Sequence, residues 1–279
     1  MRREFELVCP DGVKLYAWAF EAEHPRAAIC VAHGLGEHGD RYAKFAQAMN
    51  QDGISVYVHD HRGHGRNVKK KSDRGVARMR DLERDLVTMI EKVRKETGLP
   101  VFLFGHSLGG CIGLFTALNA QPELAGVIIT SPWLKLVNPP PKALFSIVSE
   151  IAGAVNRITI PNGIPASALC HDAAVCAAYE ADVLNHDCIG LGLAGDANRA
   201  AQWILDHPER LRAPLLLCHG AEDPVCSVEG SHAFAAKASG VRFVEFPNAY
   251  HEIHNEPADS AKLFETELAF IHEVLGAEV

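Results

Sequence analysis

Residues 101–111 read Val-Phe-Leu-Phe-Gly-His-Ser-Leu-Gly-Gly-Cys, and few backbones accommodate that order. The apolar run Val101–Phe104 has the length of a buried strand, and Cys111, Ile112, Leu114, Phe115 and Leu118 then recur at helical spacing. Only a few residues separate the two, so the turn is very tight. Ser107 sits at its apex, where the backbone is driven into an uncommon conformation that lifts the hydroxyl clear of the sheet, and the flanking glycines remove side chains that would collide there. A strand handed straight to a helix belongs to an α/β architecture, and a serine so placed is a candidate nucleophile.

The rest of the chain reads as support for this turn. At 279 residues, 48% hydrophobic and 22% charged, it can bury a large core as one globular unit with an insertion. Its net charge of −8 and the lack of any basic cluster beyond Lys69-Lys70-Lys71 argue against nucleic acid as a partner. The first residues, Met1 to Glu6, do not have the apolar run of a signal peptide, and no charge-free window is long enough to span a bilayer. Eight cysteines without a C-x-x-C pair read as free thiols in a reducing compartment, so a cytoplasmic protein is expected.

In chain order, residues 4–20 alternate about the turn Pro10-Asp11-Gly12 and predict an antiparallel hairpin. Ala27–Ala32 is a strand running into His33-Gly34-Leu35-Gly36-Glu37-His38, a loop with exposed N–H groups suited to an oxyanion. A helix from about Arg41 to Gln51 and the strand Ile54–His59 complete a parallel crossover. The turn His59-Asp60-His61-Arg62-Gly63-His64 offers metal-ligand residue types, but its glycines and arginine and the absence of a second ligand set favour a hydrogen-bonded turn, with no metal. Met79, Leu82, Leu86, Ile90 and Val93 mark an amphipathic helix, and Gly126–Thr130 is a further buried strand. Between Ser131 and Pro214 the alternation stops. Residues 133–205 are therefore expected to form an inserted helical cap, with 1–132 and 206–279 as the core. Within the cap, the apolar patch from Ala143 to Val155 is expected either to pack on the cap itself or to line an acyl path and make transient membrane contact.

A serine hydroxyl needs a base, and the base needs an acid to fix its tautomer. The strand Pro214–Cys218 leads to Asp223, and the strand Val241–Phe246 leads to His251, which gives the order serine, acid, histidine. Glu222 and Asp206 are rival acids; His254 and His219 are rival bases. Cys226, three residues past Asp223, is expected close to the cleft.

Taken together, the segments 33–38, 60–65, 105–110, 219–223 and 250–254 resemble those of monoacylglycerol lipases and lysophospholipases, α/β-hydrolases grouped with the serine aminopeptidase S33 type. The resemblance implies the α/β-hydrolase fold, a mostly parallel sheet with helices on both faces. It implies Ser107 as nucleophile, Asp223 as acid and His251 as base, with the N–H groups of Leu35 and Leu108 as the oxyanion hole. Glu37, Arg41 and His254 stand where such lipases bind glycerol hydroxyls, or else brace the loops. The implied activity is hydrolysis of a lipid-like monoester, a small-molecule substrate, without a cofactor. The alternatives are a broad carboxylesterase, an aminopeptidase, or a catalytically idle ligand-binding module.

Overall fold

The computed structural model describes residues 2–139, 150 and 154–276. Among the described residues the strands and helices follow in this order: β1 (Arg2–Val8), β2 (Lys14–Phe20), β3 (Ala27–Ala32), α1 (Ala43–Gln51), β4 (Ile54–His59), α2 (Met79–Thr97), β5 (Val101–His106), α3 (Leu108–Asn119) and β6 (Gly126–Thr130). Then come β7 (Thr159–Pro161), α4 (Ala173–Ala181), β8 (Cys188–Gly190), α5 (Leu191–Asp206), β9 (Leu215–Gly220), α6 (Val228–Ala235), β10 (Val241–Phe246) and α7 (Ser260–Leu275). Eight strands form one sheet in the order β1-β2-β4-β3-β5-β6-β9-β10. The predicted hairpin β1/β2 is antiparallel and joins antiparallel to β4, while every pair from β4 to β10 is parallel. Parallel neighbours need crossovers, and the helices that supply them cover both faces.

Because successive side chains of a strand point to opposite faces, each inner strand feeds two cores. Ile29, Val31, Phe102 and Phe104 pack with Phe45 and Met49 of α1 and Leu263 and Ile271 of α7. Cys30, Val101 and Leu103 pack with Leu82, Leu86 and Ile90 of α2 and Ile112 and Leu114 of α3. This is why the inner strands read as continuous apolar runs rather than alternating ones.

The stretch expected as a cap divides. Residues Ala166–Ala168 form a short turn of helix, α4 follows, and β7 and β8 pair into a separate two-stranded sheet that the sequence pattern did not suggest. Each of those strands is three residues long, too short to show a period. The stretch ends in α5, whose Leu193, Ala197, Ala200, Ala201 and Ile204 join the core beside α3. Except for Glu150, Ala154 and Val155, the apolar patch from Ala143 to Val155 lies outside the described residues. No helix among the described residues is long and apolar enough to cross a membrane.

Candidate active site

Ser107 lies between β5 and α3 with φ 56° and ψ −119°, a conformation that L residues rarely adopt. Its neighbours hold it there. The Ser107 N–H donates to the Thr130 carbonyl at 3.1 Å, and the Ser107 carbonyl accepts from Cys111 at 3.0 Å and Trp133 at 2.9 Å. The glycines around the serine are required by space: a Cβ at Gly105 would overlap the Gly109 carbonyl, and one at Gly109 would overlap that of Ala32. α3 can therefore start against β3 and β5 with nothing between the backbones.

The loop after β3 passes beside the serine. A side chain on Gly34 would stand 3.4 Å from Ser107 Cβ, and Leu35, Glu37 and Arg41 line the same small cavity as Ser107. Leu108, the first residue of α3, is fully buried.

The loops after β9 and β10 bring up the other two candidates. His251 Nδ1 donates to Asp223 Oδ2 at 2.7 Å, and His251 lines the cavity with Ser107. Asp223 is 7% exposed and His251 3%, so both charges act with little solvent screening. Burial by itself would raise the Asp223 carboxyl, but the imidazoles of His251 and His219 outweigh it and hold the group well below the usual carboxylate range. For His251, burial pulls the pKa down, while Asp223 first, then Glu252 and Glu37, hold it above the ordinary imidazole value. An imidazolium formed here would meet carboxylates already in place.

The rivals fall elsewhere. His219 stands behind Asp223, its Nδ1 2.7 Å from Ser231 Oγ and its Nε2 3.2 Å from Asp223 Oδ2. His254 is 3% exposed, its ring stacked on Tyr42 at 5.5 Å and edge-on to His106 at 5.0 Å, and it is not among the residues that line the cavity. Glu222 is exposed on the loop beside Asp223, and Asp206 is exposed at the end of α5.

Glu37 and Arg41 belong to a buried network. Glu37 Oε1 accepts the Gly34 N–H at 2.5 Å and the Tyr42 hydroxyl at 2.8 Å, and Glu37 Oε2 pairs with Arg41. Arg41 also makes a bidentate pair with Glu252, Nη1 to Oε1 at 2.6 Å and Nη2 to Oε2 at 2.8 Å. Sequence reasoning missed Glu252, although its place directly after His251 was the available signal. It also missed Tyr179 of α4, whose ring lies 4.8 Å from the Arg41 guanidinium.

Ile164, Leu169 and Tyr179, from the stretch between β6 and α5, also line the cavity, and its volume is about 20 Å³. That is room for one water and no acyl chain. The stretch between β6 and α5 is held to the rest of the chain by His38 Nε2 to Asp182 Oδ2 at 2.8 Å, by the His186 N–H to the Gly36 carbonyl at 2.8 Å, and by the Glu252 N–H to the Leu169 carbonyl at 2.7 Å.

The histidine turn serves packing. Asp60 accepts the N–H groups of Gly39 at 3.0 Å and Arg66 at 2.7 Å, while the His33 ring packs tilted against His61 and edge-on to His64, and His64 packs tilted against His186. Burial pushes the pKa values of His33, His61 and His64 far down, so these rings stay neutral. Among the described residues no group of three or more His, Cys, Asp or Glu is arranged to hold a metal ion.

Comparison with known proteins gives the family and the fold. Residues 23–258 match the family described as serine aminopeptidase, S33. The chain is 30% identical over 268 residues to the monoglyceride lipase of Homo sapiens, covering 90% of this chain and 84% of that one. It is 29% identical over 269 residues to the monoacylglycerol lipase of Mycolicibacterium smegmatis, covering 92% of each. Among solved structures, the monoacylglycerol lipase of Paleococcus ferrophilus superposes with a TM-score of 0.85 at 28% identity, covering 94% of this chain and all of that one.

Proposed function

The chain belongs to the serine aminopeptidase S33 family, and on that premise we propose that it hydrolyses lipid-like carboxylic monoesters, with monoacylglycerols the favoured class, through Ser107, His251 and Asp223. The observation that carries this reading is the pairing of a conformationally strained serine and a carboxylate-held imidazole in one buried cavity. His251 takes the Ser107 proton as the hydroxyl attacks the ester carbonyl. Asp223 keeps Nδ1 protonated, so that Nε2 is free to accept. The developing oxyanion is met by the N–H groups of Leu35 and Leu108. His251 then protonates the departing alcohol, and a water that it deprotonates hydrolyses the acyl-enzyme. No step calls for a cofactor.

Two further assignments complete the proposal. Glu37 and Arg41 line the cavity and present a carboxylate and a guanidinium to the alcohol, with His254 supporting that wall from behind His106. The stretch from 133 to 190 acts as the cap, and it must lift to admit an acyl chain, since the closed cavity holds about one water. A reducing, cytoplasmic setting suits a chain whose eight cysteines are all free.

The test is Ser107→Ala, assayed on monoacylglycerols, lysophospholipids, simple alkyl esters and aminoacyl anilides beside the parent. The parent is expected to turn over the monoacylglycerols best, to be labelled by a fluorophosphonate at Ser107, and to lose on the order of 10⁶-fold in kcat on the substitution. Substantial turnover by folded Ser107→Ala removes the assignment. Binding of these esters without turnover by the parent would leave a ligand-binding module.

A further inference from the structure

Three loops meet around His251. The loop after β3 carries Glu37 and Arg41, the loop after β9 carries Asp223, and His251 itself is followed directly by Glu252. Glu252 is 2% exposed and nearly every polar atom it has is engaged. Its two carboxylate oxygens take the two terminal nitrogens of Arg41 at 2.6 and 2.8 Å. Asn255 Nδ2 donates to Oε2 at 2.8 Å, and the Glu252 N–H donates to the cap at Leu169. Arg41 passes the connection on to Glu37, and Glu37 accepts the Gly34 N–H, one residue before Leu35.

We propose that Glu252 is a positioning residue that bolts the loop bearing the base to the oxyanion loop through Arg41, and that it lends the base a second buried carboxylate. The inference rests on His251 being the base. A bidentate guanidinium-carboxylate pair fixes angle as well as distance, so it sets the orientation of one loop against the other. With Glu37 on its far side, Arg41 neutralises only one of the two carboxylates. One net negative charge is therefore left in a buried wall beside the imidazole. That charge stabilises an imidazolium and so favours the step in which His251 takes the serine proton. The groups facing His251 are Asp223, with His219 and Cys226 behind it, then Glu37 and Arg41, His106 at the end of β5, His254 on its own loop, and Tyr179 from the cap. Among these, Asp223, Glu252 and Glu37 raise its proton affinity, against a burial penalty of opposite sign.

Glu252→Gln and Glu252→Asp separate the two roles. Glutamine retains the shape and removes the charge; aspartate retains the charge and withdraws it from Arg41 by one methylene. In Glu252→Gln the acid limb of the pH profile of kcat/KM is expected to move down by about one pH unit, with kcat reduced and KM little changed. In Glu252→Asp the limb is expected to stay near the parental position while kcat falls by roughly tenfold or more, the cost of a misoriented base. A folded Glu252→Gln with the parental pH profile overturns the inference. If Glu252→Gln does not fold, parental kcat in Glu252→Asp overturns it. Failure of the underlying reading looks different: His251→Ala would then retain activity, whatever happens at Glu252.

Discussion

The carboxylate of Asp223 is shared between two imidazoles, with Oδ2 2.7 Å from His251 Nδ1 and 3.2 Å from His219 Nε2. Its other oxygen accepts the N–H groups of Val225 at 2.7 Å and Cys226 at 2.9 Å. Four partners fix this side chain in place, and they explain why a buried carboxyl stays ionised. Asp223→Asn keeps the shape but presents an amide to His251 Nδ1, which turns the imidazole to the wrong tautomer. We expect a loss of about 10⁴-fold in kcat, as for the corresponding change in other serine hydrolases. The same substitution removes the largest favourable charge on His251, so the remaining activity is expected to persist to lower pH than in the parent. Steady-state kinetics from pH 5 to 9 measure both effects; a parental kcat would transfer the acid role to Glu222.

The alcohol side of the site is tested by a ratio. A wall that hydrogen-bonds a substrate hydroxyl discriminates against an analogue without it, because its own polar groups are then left unpaired. Glu37→Ala is expected to lower the ratio of kcat/KM for a monoacylglycerol to that for the methyl ester of the same acid by about 1 to 3 kcal/mol in equivalent free energy. His254→Ala is expected to lower it less, since that ring acts through His106 rather than from the cavity wall. An unchanged ratio in folded Glu37→Ala would leave the residue as a brace for Gly34 and Arg41.

Cys226 lies against the Ser107 side chain, yet it is 1% exposed, and burial, followed by the charge of Asp223, pushes its thiol far up. The thiolate is the reactive form, so this cysteine is expected to resist alkylation in the folded enzyme. N-ethylmaleimide should label the half-buried Cys176 and Cys188 first, with turnover falling only as Cys226 is reached. Peptide mapping against residual activity follows both; early loss of activity with Cys226 unlabelled would place the sensitive thiol elsewhere.

Glu267 on α7 is fully buried, and neither carboxylate oxygen has a partner among the described residues. Burial raises its pKa far above the carboxylate range. The folded state therefore retains a proton that the unfolded chain loses near pH 4.3, the ordinary glutamate value. Stability is then lost as pH rises from there toward the folded pKa. Glu267→Leu is expected to stabilise the protein by about 1 to 3 kcal/mol at neutral pH, with a gain that shrinks toward pH 4. Thermal melts of the two proteins across that range decide it; a gain independent of pH would assign the effect to packing alone.

The strongest signals in the chain were local ones. The hairpin about Asp11, the parallel strands, the amphipathic α2 and the turn at Ser107 each follow from spacing within a few residues, because backbone sterics and side-chain periodicity act over that range. Asp223 and His251 were legible for a related reason. A parallel sheet delivers the loop after each strand to the same end, so residues far apart in sequence become neighbours once the strand order is known. The stretch between β6 and β9 was less legible. The three-residue strands β7 and β8 are too short to carry a period, and the placement of α5 against α3 depends on which of its faces finds a partner.

By itself, the sequence determined the fold class, the candidate nucleophile and the order of its partners, since these depend on patterns of a few residues repeated along one sheet. Only the tertiary structure decided which charges meet. Nothing in the neighbourhood of Glu252 in the chain announces Arg41, 211 residues away, as the partner of both its oxygens. Nor does anything near His219 announce that it would stand behind Asp223, or near Tyr179 that it would cover Arg41. Such pairings are fixed by the burial of charged groups: once the loops close, each charge must find an opposite partner or lose its ionisation, and that choice is made in space.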